Sequence, residues 1–107
     1  MANKINPDKV KSTIASMKAR FETETIHKMS DLSDMYITGM TKILGIGYDG
    51  FISKCSSPEK FVVGDLVKLS QILNVDIEVI MKVVLKEAKK NVKPRDLNAI
   101  LKAEDNS

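Results

Sequence analysis

The sequence predicts an all-α domain of five to six helices, and three observations lead there. Apolar residues recur at helical spacing along most of the 107 residues, capping and breaking residues stand where each stripe stops, and alternating runs are lacking. Phe61-Val62-Val63 is the single β-like run, too short to carry a sheet.

The first helix opens at Asn6-Pro7, because Asn caps free amides and Pro at the first helical position has no amide to leave unpaired. Val10, Ile14, Met17 and Phe21 then form one stripe, with Lys9, Lys11, Lys18 and Arg20 off it. The polar, β-branched stretch from Glu22 to Thr25 weakens helix, so a break is expected between Thr23 and Ser30. Ser30 is positioned to cap a short helix over 31–36. Thr38 is positioned to cap the next, in which Met40, Ile43 and Leu44 keep helical spacing until Gly45 stops it.

Beyond Gly45-Ile46-Gly47, Phe51 and Cys55 lie four apart on a second short helix that Ser56-Ser57-Pro58 ends. Leu66, Leu69, Ile72 and Leu73 mark a further helix closed by Asn74 in a left-handed cap. Val75 is expected in the core and Asp76 as a cap. Ile77, Ile80, Met81, Val84 and Leu85 form the apolar face of a helix that ends near Asn91. Pro94 is expected to open a last short helix with Leu97, Ile100 and Leu101 facing inward, before a frayed polar tail. The chain therefore divides into an N-terminal amphipathic helix (1–28), a core (29–90) and a C-terminal short helix with tail (91–107), within one structural domain.

Hydrophobic residues make up 43% and charged residues 29%, which excludes wholesale disorder and fibrous repeats. No apolar run reaches the roughly 20 residues of a membrane span, and MANKINPDKVK lacks the apolar centre of a secretory signal, so a cytoplasmic location is expected. Cys55 is the only cysteine, which leaves no intramolecular disulfide and reads as a buried structural thiol. His27 is the only histidine, and no phosphate loop or nucleophile–base pair accompanies it. No catalytic residue, metal site or small-molecule cofactor is expected. The net charge is +3 with a pI near 9.0. Seven Lys or Arg lie between Met81 and Ala103 against two acids, so the positive field is C-terminal.

The run from Met40 to Ile52 resembles the helix-turn-helix of the Cro and lambda-repressor-like family, xenobiotic-response-element type. In that pattern a short helix ends in Leu-Gly-Val/Ile and an apolar residue anchors the second helix. Leu44, Gly45, Ile46 and Phe51 occupy those places. Asp65 to Asp76 is similar to the family's fourth helix and its sequel, and Ile77 to Met81 to the start of its fifth. The combination of LGI, YxxF and SPEKF looks like a subgroup of short bacterial proteins of this fold.

The resemblance implies a lambda-repressor-like core with an extra N-terminal helix and a basic C-terminal extension. It also implies a transcriptional regulator that docks helix 48–55 in the major groove of double-stranded DNA, commonly as a homodimer. Tyr48, Asp49, Ile52 and Ser53 would face the groove beside Gly47, with Thr38, Lys42 and Lys60 near phosphates and Lys54 a further candidate DNA contact. The chain departs from the family at this surface, where Asp49 would be repelled by phosphates and Cys55 replaces a usual glutamate. These departures keep a second reading open: a protein-interaction module on the same fold that has lost DNA reading. The apolar positions from Ile77 to Leu101 exceed what a five-helix core needs, and mark the candidate dimer surface.

Overall fold

A computed structural model describes residues 5–105. Among them it places six α-helices, two 3-10 turns and no strand. Helix α1 spans Pro7–Glu22, and the Asn6 side-chain oxygen accepts the Lys9 amide at 3.2 Å. Val10, Met17 and Phe21 of its stripe are buried and Ile14 is half-buried. Thr13 joins this face because its hydroxyl donates to the Lys9 carbonyl at 2.8 Å, which satisfies a polar group inside the core.

The segment after α1 differs from the expected helix over 31–36. It is a 3-10 turn at Met29–Asp34, and Ser30 does not cap it. The Asp31 carboxylate holds its start instead, accepting the His27 and Lys28 amides at 3.1 and 3.3 Å. Met29 and Leu32 are driven fully into the core, which short 3-10 geometry allows over six residues.

Helix α2, Ile37–Leu44, begins one residue before the expected cap, with Tyr36 at the N-cap and Thr38 inside the first turn. The Tyr36 carbonyl accepts the Met40 amide at 3.2 Å, so helical bonding has already started there. Gly45 ends α2 at φ 71°, and the Ile46 amide returns to the Thr41 carbonyl at 3.1 Å. Helix α3, Tyr48–Ser56, follows a three-residue turn and buries Phe51 and Cys55. A 3-10 turn at Pro58–Lys60 leads to α4, Val63–Leu73, which Asn74 closes at φ 53°. Helix α5 spans Ile77–Asn91, with Asp76 at its N-cap position but making no side-chain capping bond.

These five helices share one core, in which Met17, Phe21, Met40, Phe51, Leu69 and Ile80 are almost fully buried. The α1 stripe therefore belongs to the same core as the rest. A lysine fastens it at the far side, where the Lys18 ammonium donates to the Asn74 carbonyl at 3.2 Å. Leu85 does not join the core as expected, since it is 46% exposed. It stands about 140° around the helix from Ile80, whereas buried Val84 stands about 40° away.

The last helix overturns another expectation. Helix α6, Leu97–Asp105, starts three residues beyond Pro94, because the Asp96 carboxylate accepts the Asn98 and Ala99 amides at 3.1 and 3.3 Å. None of its residues is buried, and Leu97 and Leu101 are 66% and 52% exposed rather than inward. The helical spacing was legible, but the five preceding helices already cover one another and leave α6 outside. The radius of gyration is 17.3 Å and the longest dimension 62 Å. A compact chain of this length has a radius of about 13 Å.

Candidate nucleic-acid interface

The surface around the turn is built from residues that fix α3 against the core. Phe51 is buried and meets Phe61 edge to face, with centroids 6.2 Å apart and planes at 72°. Ile46 packs half-buried against the same cluster. On the next turn, the Lys54 ammonium contacts the Asp65 carboxylate at 2.8 Å, linking α3 to the first turn of α4. The outer face of α3 then presents Tyr48, Asp49 and Ser53 to solvent beside exposed Gly47. No side chain caps α3, whose first turn begins on Gly47.

Tyr48 and Thr38, ten residues apart on α3 and α2, line one hollow of about 350 Å³. Tyr36, Lys9, Ser33, Met35 and Ile37 complete its wall. Tyr36 is held on two sides: its hydroxyl accepts the Asn6 amide at 3.2 Å, and the Lys9 ammonium lies 4.9 Å from its ring centroid. The ring also lies over Gly39, where a Cβ would collide with it. Gly39 thus permits the close approach that brings the start of α1 to the start of α2.

No protein-family model, curated protein or solved structure matches the chain. The geometry alone carries the functional argument.

Of the residues singled out in the sequence, the structure brings Thr38 and Tyr48 together at the hollow, with Gly47 and Asp49 flanking Tyr48 along the chain. Lys42 is exposed in the last turn of α2, and Lys60 is exposed in the 3-10 turn after α3. Ile52 is half-buried and packs on the core, so its side chain is committed in part to the scaffold. Lys54 is also committed, since its ammonium neutralises Asp65. Sequence reading missed Lys9, Tyr36 and Ser33. Lys9 and Tyr36 are 27 positions apart, and the glycine that lets them meet gives no separate signal in the pattern.

The basic face of α5 lies elsewhere. Lys82 and Lys86 border a groove of about 330 Å³ that also involves Phe21, Ile26, Val79 and Val83. Phe21 is twelve residues after Lys9 on α1, about 18 Å along its axis, so groove and hollow sit at opposite ends of that helix. The Lys82 ammonium hydrogen-bonds the Glu24 carboxylate at 2.7 Å, which holds Glu24 below the usual carboxylate range and raises Lys82. His27 lines the groove as well, and among the described residues no three metal-ligating side chains gather. Cys55 is buried, and that burial, followed by the charge of Glu87, pushes its thiol up to about 12. Among the described residues no helix is long and apolar enough to cross a membrane.

Proposed function

We propose that the chain is a DNA-binding regulator whose α2–turn–α3 unit is a helix-turn-helix. The observation that carries this reading is the placement of the α3 N-terminus: uncapped by any side chain, exposed, and sharing one hollow with Thr38 of α2. A helix start of this kind carries partial positive charge and free amide donors, which suit a phosphate or a base edge. Tyr48, 52% exposed, is the side chain that reaches bases, and Thr38 and Lys9 flank it toward the backbone. Lys60 and Lys42 supply charge from the neighbouring segments.

Fluorescence anisotropy with a randomised duplex, titrated with salt, tests the reading. Binding should weaken steeply as salt rises, and Tyr48→Ala should weaken it further. Absence of binding in low salt, or binding indifferent to Tyr48, overturns it.

The second reading, a protein-interaction module, draws support from two charges. Asp49 sits exposed in the first turn of α3 and Lys54, in its last turn, is neutralised by Asp65, so α3 presents no unpaired cation. Affinity capture from the native host separates the two: a reproducible protein partner with no DNA favours the module, and DNA counts against it.

A further inference from the structure

We infer that the groove between the end of α1 and α5 is a binding site for an amphipathic monocarboxylate, one acid group on an extended apolar body. The inference is independent of DNA reading, since this groove and the hollow beside Tyr48 lie at opposite ends of α1.

The groove has the size and lining of a small-molecule site. Its volume of about 330 Å³ falls at the lower end of the roughly 300–1,000 Å³ of ligand pockets. The floor is apolar: Phe21 and Ile26 belong to the core, and Val79 and Val83, four apart on α5, are half-buried. From Val79 to Lys86 it runs seven residues along α5, about 10 Å.

One carboxylate is already held here. Glu24 takes a left-handed backbone at φ 57°, uncommon for a residue with a Cβ, and its carboxylate crosses to α5 to meet Lys82 at 2.7 Å. Both side chains are largely exposed, so the pair opens at little cost. One turn further along α5, Lys86 borders the same groove, and among the described residues its ammonium has no hydrogen-bond or ion-pair partner.

Charge changes sign along the groove. On one side of the Glu24–Lys82 pair, Glu22 and Glu78 line an adjoining hollow over the same Phe21 and Val79. On the other side, Lys28 and Lys90 continue from His27 and Lys86, and the Glu87 carboxylate there is engaged with the Met29 amide. A carboxylate is therefore drawn to Lys86 with its apolar body toward Val79, and a second acid group at the far end would meet Glu22 and Glu78.

Amide chemical shifts of the full chain, titrated with octanoate, test the inference. Octanoate is expected to bind saturably with a Kd on the order of 1 mM, moving amides over 26–28 and 79–86. Octanol, which lacks the charge, and octanedioate, which adds a second acid group, should each bind roughly fivefold more weakly, the scale of one half-exposed ion pair. Lys86→Met should weaken octanoate binding by a similar factor, whereas Glu24→Gln should tighten it, because Lys82 is released. Both side chains are exposed, so thermal melting reports that each variant keeps the fold. Absence of saturable binding, shifts clustered away from the groove, octanol binding as tightly as octanoate, or a Kd indifferent to Lys86→Met overturns the inference. Octanedioate binding as tightly as octanoate overturns the orientation, and a Glu24→Gln variant that binds no tighter overturns the part given to Lys82.

Discussion

Lys54 of α3 and Asp65 of α4 meet at 2.8 Å, with the carboxylate side chain only 10% exposed and the ammonium stem 27% exposed. The pair joins the candidate reading helix to the scaffold, and each partner keeps the other from being an unpaired charge at the edge of the core. Lys54→Met leaves Asp65 without its cation, and is expected to cost on the order of 1–3 kcal/mol in urea unfolding. Asp65→Asn with Lys54→Met should cost less than the two single changes added together. Because its ammonium is already neutralised, Lys54→Met should leave the salt slope of DNA binding nearly unchanged, whereas Lys60→Ala should lower it by about one.

Gly39 has a different kind of dependence. A methyl group there would press on the Tyr36 ring, so Gly39→Ala must displace the ring from the Lys9 ammonium and the Asn6 amide. Overpacking of this sort costs about 1–3 kcal/mol, and thermal melting should show it. Tyr36→Ala should remove most of that penalty when the two changes are combined.

At the ends of α2 and α4 the backbone is left-handed, at Gly45 and Asn74. Gly45→Ala is expected to destabilise by about 1 kcal/mol, since a Cβ is strained there. Asn74→Gly should be close to neutral while Asn74→Ala should cost a similar amount; equal effects of Gly and Ala would refute the conformational account.

The Cys55 thiol supplies a pH dependence with a definite sign. Its value rises from 9.0 in a free thiol to about 12 in the fold. Below pH 9 both states keep the proton and the shift has no effect on stability. Between pH 9 and 12 the unfolded chain loses the proton first, so stability falls as pH rises through that window. Cys55→Ala removes this component, and its stability should fall less steeply than that of the wild type over the same range. Native Cys55 should also react with a disulfide reagent only as fast as the core opens.

Much of the scaffold was legible because its signals are local. Asn6 with Pro7, Gly45 and Asn74 each act within one turn of the backbone they cap, and Val10, Met17, Phe21, Phe51 and Leu69 lie on single stripes. The failures are tertiary in origin. Periodicity shows that Leu85, Leu97 and Leu101 share apolar faces, but whether anything covers those faces depends on how the other helices fill the core. Ser30 and Thr38 are good caps in isolation and were displaced by Asp31 and by the Tyr36 backbone, which were already engaged one or two residues away. At the candidate site, Tyr48 and Thr38 follow from the turn, whereas Lys9, Tyr36 and the Lys54–Asp65 pair follow from contacts between segments far apart in sequence.

The Met29 amide, at the start of the 3-10 turn, donates to the Glu87 carboxylate at 2.6 Å across 58 positions. The acceptor lies far along the chain from the donor, so until α5 packs in place the Met29 amide has water rather than Glu87 as its partner. The native geometry of this connection therefore depends on α5 being in place. Truncation before Glu87 should therefore loosen the chain at its middle rather than at its new end, and amide exchange at Met29 should report it.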